Sequence, residues 1–130
     1  MSRRRQATPE TCVLSAVSDL LSAERIWWMR MNTRVVNVDD SRDQRGYRPM
    51  FFGRRGCADI LCTPLQRTKT DDRRSLGTGV SVLWIECKSP TGGTQRPAQK
   101  EFQKEVEAAG HFYIIANSSD DVLRWLQERR

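Results

Sequence analysis

The sequence predicts an α/β protein with a mixed central sheet flanked by helices, in the order α-β-β-β-α-β-α. Three observations carry this. The run from Val80 to Lys88, Val-Ser-Val-Leu-Trp-Ile-Glu-Cys-Lys, is apolar and strongly β-prone, as a buried central strand should be. A second short apolar run opened by glycine, Gly56-Cys-Ala-Asp-Ile-Leu-Cys62, gives it a neighbour. Amphipathic helical stripes follow Thr8-Pro9, Pro97 and Ser118, so helices stand at both ends of the chain and between its last two strands.

The elements follow in order. At 130 residues the chain suits one domain, 1–130, behind a basic arm at residues 1–7 that carries Arg3, Arg4 and Arg5. The arm is either a solvated tail or a phosphate contact. Thr8 as N-cap and Pro9 at the first helical position start a helix whose stripe is Val13, Val17, Leu20 and Leu21. Glu10 extends that stripe by one turn; its carboxylate either complements the helix dipole from the rim or points into a site. Residues 26–31 read as a strand, with Trp27 and Trp28 serving core and edge packing rather than base stacking.

Residues 32–49 have no apolar period and read as a long polar loop, followed by a short strand over residues 50–52. In Gly53-Arg-Arg-Gly56, the pair Arg54-Arg55 suits either an ordinary charged turn or a phosphate. Residues 64–79, with Lys69, Arg73 and Arg74, form a basic connection at the tip of a hairpin. Ser89-Pro-Thr-Gly-Gly-Thr94 stops the central strand. Pro97 starts a helix with Ala98, Phe102, Val106 and Ala109 on one face, ended by Gly110. Residues 111–116 give a further strand, reached by a right-handed crossover if the two strands are parallel. Residues 118–130 form a closing helix with Val122, Trp125 and Leu126 inward, and His111 reads as a structural residue at the junction.

Charge narrows the partners. Lys plus Arg number 22 against 16 Asp plus Glu, a net +6, which suits a polyanion, nucleic acid before membrane. No stretch approaches the roughly 20 apolar residues of a membrane span, and the Arg-rich start lacks the apolar run of a signal peptide. The expected setting is soluble and cytoplasmic. Cys12, Cys57, Cys62 and Cys87 form no CxxC pair, and with a single histidine they give a zinc site little support. They read as reduced thiols.

The chemistry gathers at the end of the central strand. Alternation sends Glu86 and Lys88 out of one face, roughly 7 Å apart along the backbone. Such charges on a buried strand are costly to desolvate unless something needs them there. If the strand of Asp59 is its neighbour, about 4.8 Å away, Asp59 and Glu86 converge. Two carboxylates about 4 Å apart repel by roughly 4 kcal/mol at an effective dielectric near 20, which a proton or a cation must offset. Mg²⁺ is the natural occupant, since it takes oxygen ligands from one or two carboxylates plus substrate phosphates.

Asp59 followed by Glu86-Cys87-Lys88 resembles the signature of the PD-(D/E)XK nuclease superfamily. Gly53-Arg-Arg-Gly-Cys-Ala-Asp-Ile60, Trp84-Ile-Glu-Cys-Lys-Ser-Pro90, Gln99, Ala108-Ala-Gly110, Glu10 and Asn32 together resemble its VRR-NUC family. Ala58 departs from the proline usual there, a residue that shapes backbone and is no ligand. The resemblance implies a restriction-endonuclease-like fold and metal-dependent hydrolysis of phosphodiester bonds. Asp59, Glu86, the Cys87 carbonyl and Glu10 would hold Mg²⁺ or Mn²⁺. Lys88 would orient the attacking water, and Gln99 would position Lys88 or that water. Arg54, Arg55, Asn32 and Arg96 are the expected contacts to nucleic acid.

The chain is similar in size to short stand-alone viral and bacterial members of the family. That implies a homodimer acting on branched DNA such as a Holliday junction, with no membrane partner and no small-molecule substrate. Two alternatives share the basic surface: a DNA-junction-binding module without catalysis, and a restriction-type endonuclease. A pure binding module would need the arginines but not Asp59, Glu86 and Lys88 in one place.

Overall fold

The structure, a computed structural model, describes residues 7–31, 34–64 and 81–129. Arg3, Arg4, Arg5 and Asn32, and Lys69, Arg73, Arg74 and Val80 of the connection, lie outside the described residues. The element order is α1 (Pro9–Ala23), β1 (Trp28–Arg30), β2 (Arg34–Asp39), β3 (Tyr47–Phe52), β4 (Ile60–Cys62), β5 (Leu83–Cys87), α2 (Pro97–Ala108), β6 (Phe112–Ala116) and α3 (Ser119–Gln127). Four strands build one mixed sheet in the order β1-β4-β5-β6. The first two pairings are antiparallel and the last is parallel. With the three helices this is the α-β-β-β-α-β-α series that the sequence predicts.

The β5 strand is the spine of the sheet. Leu83, Ile85 and Cys87 are fully buried on one face, against Val13, Val17 and Leu21 of α1 and Val122 and Leu126 of α3. Removing a Leu or Ile side chain from water contributes about 1.5–3 kcal/mol each, so this face anchors the fold. Trp84 turns to the other face, where Phe102 and Val106 of α2 and Tyr113 of β6 form a smaller cluster. Its ring meets Phe102 edge-on at 5.0 Å. Strand alternation therefore delivers Glu86 to the α2 face.

Local signals set the helix starts. The Thr8 hydroxyl accepts from the Thr11 N–H at 3.2 Å ahead of Pro9, and Pro97 occupies the equivalent place in α2. Among the described residues no helix is long and apolar enough to cross a membrane.

Several expectations are corrected. The strand expected over residues 50–52 is present but starts earlier, at Tyr47, and residues 34–39 are not loop: the two segments form an antiparallel two-stranded ribbon, inserted between β1 and β4 and packed chiefly on itself. Pro49 sits in β3 opposite Asn37; in a two-stranded ribbon every strand is an edge, so its missing N–H can face solvent. The ribbon turn is fixed by Asp40 and Asp43, whose carboxylates accept the Arg42 and Arg45 N–H groups, and by Gly46 at φ +80°. Trp27 lies before β1 and is 58% exposed, so only Trp28 packs against the core. The strand expected over residues 56–62 is shorter, Ile60–Cys62, so Asp59 stands just before it, and Ala98 and Ala109 are exposed rather than part of the buried face of α2. The closing helix ends at Gln127.

Candidate metal centre and active site

The site lies at the carboxyl end of β5, where β4 begins. Ile60 pairs with Ile85 in antiparallel register, so Asp59 stands opposite Glu86 one step beyond the last pair. Opposed residues of an antiparallel pair project from the same face, which brings the two carboxylates side by side. Asp59 is held by its Oδ2, which accepts the Cys87 N–H at 2.7 Å. In a strand the N–H and C=O of one residue leave on the same edge, so the Cys87 carbonyl also faces Asp59. Glu10, in the first turn of α1, arrives from the opposite side of the sheet. The carboxylates of Glu10, Asp59 and Glu86 offer oxygens that all lie within 4.8 Å of one another. The choice left open for Glu10 is thereby resolved toward the site.

Lys88 and Gln99 complete the constellation. Lys88 Nζ donates to Gln99 Oε1 at 3.0 Å and lies 3.4 Å from Glu86 Oε1. Gln99 Nε2 donates to the same Glu86 Oε1 at 2.7 Å, while Gln99 Oε1 also accepts the Arg96 N–H at 2.9 Å. The amide orientation is chemically forced: the reverse would aim its NH₂ at an ammonium and an N–H, and its oxygen at a carboxylate. Gln99 thus serves both the lysine and the glutamate.

Glu86 is 2% exposed and Lys88 7%. One carboxylate oxygen remains over. Glu86 Oε2 is buried without a hydrogen-bond partner, a state that costs about 1–3 kcal/mol or more for a charged group. Burial, and then the neighbouring Asp59 charge, push the Glu86 carboxyl up to about 7, against the pull of Lys88. Asp59 is also raised, by burial and by Glu10, although the Cys87 N–H opposes this. Burial drives the Cys87 thiol up to about 12, and alternation turns it into the α1 and α3 core, away from Glu86, so the backbone of this residue is its candidate ligand.

A hard divalent cation fits this donor set. Three carboxylates and a carbonyl are oxygen ligands only, and the orphaned Oε2 lacks a partner. No family model, curated protein or solved structure matches this chain.

A cavity of about 530 Å³ opens over the cluster, lined by Glu10, Asp59, Glu86, Lys88 and Gln99 and also by Arg55 and Arg96. The structure splits the arginine pair of the glycine-bracketed turn. Arg55 lines the cavity, whereas Arg54 is bound to the Glu105 carboxylate and stacks over Phe102 at 5.4 Å. Gly56, between this turn and Asp59, adopts φ +77°, and a Cβ there would stand 2.1 Å from the Ala98 carbonyl oxygen. That contact presses the Asp59 loop onto the first turn of α2, where Gln99 sits. His111 accepts the Val82 N–H at its Nδ1, the structural role expected of it. Sequence reasoning passed over Arg30, which lines the far side of the cluster. Only the β1–β4 pairing, Arg30 opposite Ile60, places it beside Asp59.

Proposed function

We infer that this protein is a metal-dependent nuclease that hydrolyses phosphodiester bonds of DNA. The observation that carries this is the buried, partnerless Glu86 Oε2 within a cluster of three carboxylates, with Lys88 bound to the other oxygen of the same group. An acidic cluster alone would repel a polyanion. Cations lining the cavity, Arg55 and Arg96, and the chain's net charge of +6 supply the opposite field for a phosphate backbone. The resemblance to VRR-NUC nucleases supports the same reaction, with branched DNA as the favoured substrate and a homodimer as the working form. A soluble cytoplasmic setting accords with that substrate.

Asp59, Glu86, Glu10 and the Cys87 carbonyl would hold Mg²⁺ or Mn²⁺. When bound, such an ion supplies Lewis acidity toward a phosphoryl oxygen and acidifies a water. The chain's own residues do the rest. Lys88 has three ammonium protons, of which one is given to Gln99 and one faces Glu86. The third is left for the water or for charge developing on the phosphate. Gln99 keeps the amine and the carboxylate in register, so neither can swing away when a phosphate enters.

The test is cleavage of labelled four-way junction, flap, splayed-arm, duplex and single-stranded DNA with Mg²⁺, beside Lys88→Ala. Cleavage of at least one substrate by the parental protein, lost in the variant, is the expected result. Binding in EDTA with no cutting of any substrate after Mg²⁺ is added would mean a binding module instead.

A further inference from the structure

The carboxylate cluster has two sides, and only one of them belongs to the cavity described above. On the α1 side a second cavity, of about 300 Å³, is lined by Thr8, Glu10, Thr11, Leu14, Arg30, Asp59 and Cys87. Glu10 and Asp59 line both cavities, so the two meet at the carboxylates, where β4 begins and β5 ends. Arg30 opposes Ile60, whose side chain lies in the α1 and α3 core, so Arg30 leaves the sheet on the face opposite to Lys88. It lines this cavity together with Glu10, Asp59 and Cys87. Among the described residues it belongs to none of the ion pairs.

We propose that Arg30 forms a second phosphate subsite, holding the nucleic-acid backbone one phosphate beyond the bond that is cut. This rests on the nuclease reading and specifies how its substrate lies. The strand enters past Arg55 and Arg96 on the α2 side, crosses the carboxylates, and leaves past Arg30 on the α1 side. A groove with cations at one end only would hold the scissile phosphate by a single flank, and the three carboxylates would push the next phosphate away. An arginine on the far side offsets that repulsion, and its planar donors suit phosphate oxygens.

The experiment combines Arg30→Ala with substrates carrying one neutral methylphosphonate on either side of the cleaved position. In the parental protein one of these replacements should raise KM about tenfold. Arg30→Ala should raise KM on the natural substrate by a similar factor, with kcat changed less, and should show almost no further loss on that modified substrate. Arg30→Lys should recover part of the loss. Such non-additivity marks a direct pair, because independent effects multiply. If the losses multiply, or if Arg30→Ala lowers kcat and leaves KM alone, Arg30 acts through Asp59 or not at all and the subsite is wrong. Failure of the parental protein to cut any DNA would overturn the nuclease reading, and this subsite with it.

Discussion

Lys88 Nζ lies 3.4 Å from Glu86 Oε1, on the same strand face, and a single amide, Gln99, bonds both. The lysine is therefore fixed by two groups and retains one proton for chemistry. Lys88→Ala should lower kcat by about 10²–10³-fold, the usual scale for losing one donor aimed at developing charge. Divalent-ion binding should survive, since no ligand is removed. Titration of Mn²⁺ by calorimetry in the variant checks this, and loss of metal binding along with activity would show that Lys88 only maintains the cluster.

Glu86→Gln separates stability from function. The substitution keeps the shape and removes one of the crowded negative charges. At pH 8 without metal the variant should be more stable than the parental protein, by roughly 1–3 kcal/mol. It should gain little from added Mg²⁺. Urea melts in EDTA and in Mg²⁺ measure both quantities; a variant that is less stable without metal would show that Glu86 is there to hold the fold.

Stability of the metal-free protein should fall with rising pH. The Glu86 carboxyl ionises near its ordinary value, 4.5, when unfolded, but is pushed up to about 7 in the fold. Between those values the folded protein binds more protons than the unfolded chain, so the slope of stability against pH is negative. The penalty is absent below about pH 4.5 and complete above about 7, up to roughly 3 kcal/mol, and Asp59 shifts in the same direction. Saturating Mg²⁺ should stabilise more at pH 8 than at pH 5. The difference between parental and Glu86→Gln melting temperatures across this window isolates the effect, and a difference independent of pH would exclude it.

Gly56 ties the Asp59 loop to α2. A Cβ at this position would stand 2.1 Å from the Ala98 oxygen and 2.7 Å from the Gln99 N, while a side chain at φ +77° costs about 1–2 kcal/mol by itself. Gly56→Ala should therefore destabilise by more than that backbone term and displace the start of α2. Because Gln99 and Arg96 lie there, activity should fall even at temperatures where the variant is fully folded. Gly46→Ala is the control: it shares the positive φ, at +80°, but nothing stands within 4 Å of its added carbon. It should show the backbone cost without the loss of activity.

The sequence was most legible where one physical demand dominated. Leu83, Ile85 and Cys87 alternate with Trp84 and Glu86 in a strand buried on both faces, so the spine and the face of its charges could be read directly. Thr8-Pro9 and Pro97 marked their helix starts for the same reason. Glu10 was ambiguous because helical spacing gives its direction from α1, while its value to the site depends on which strands α1 crosses. Arg30 escaped notice because its neighbour, Asp59, comes from strand pairing across about 30 residues. Residues 34–49 were misread as loop because this stretch shows no apolar period: Val36 and Tyr47, in its two strands, are both 38% exposed.

That ribbon should be the least protected part of the described sheets. A two-stranded hairpin is marginal in water, and β2 and β3 pack chiefly on each other, held at the turn by surface ion pairs such as Arg48 with Asp40 at 3.2 Å. By contrast, β5 is paired on both edges and covered on both faces. In native-state hydrogen exchange the amides of residues 35–38, 47, 48, 50 and 51 should open with free energies well below those of residues 83–87, which report global unfolding. Adding divalent ion should raise protection at Cys87, whose N–H is bound by Asp59, and leave the ribbon unchanged. Equal protection in the ribbon and in β5 would mean that the ribbon is part of the cooperative core and is held by packing beyond its own two strands.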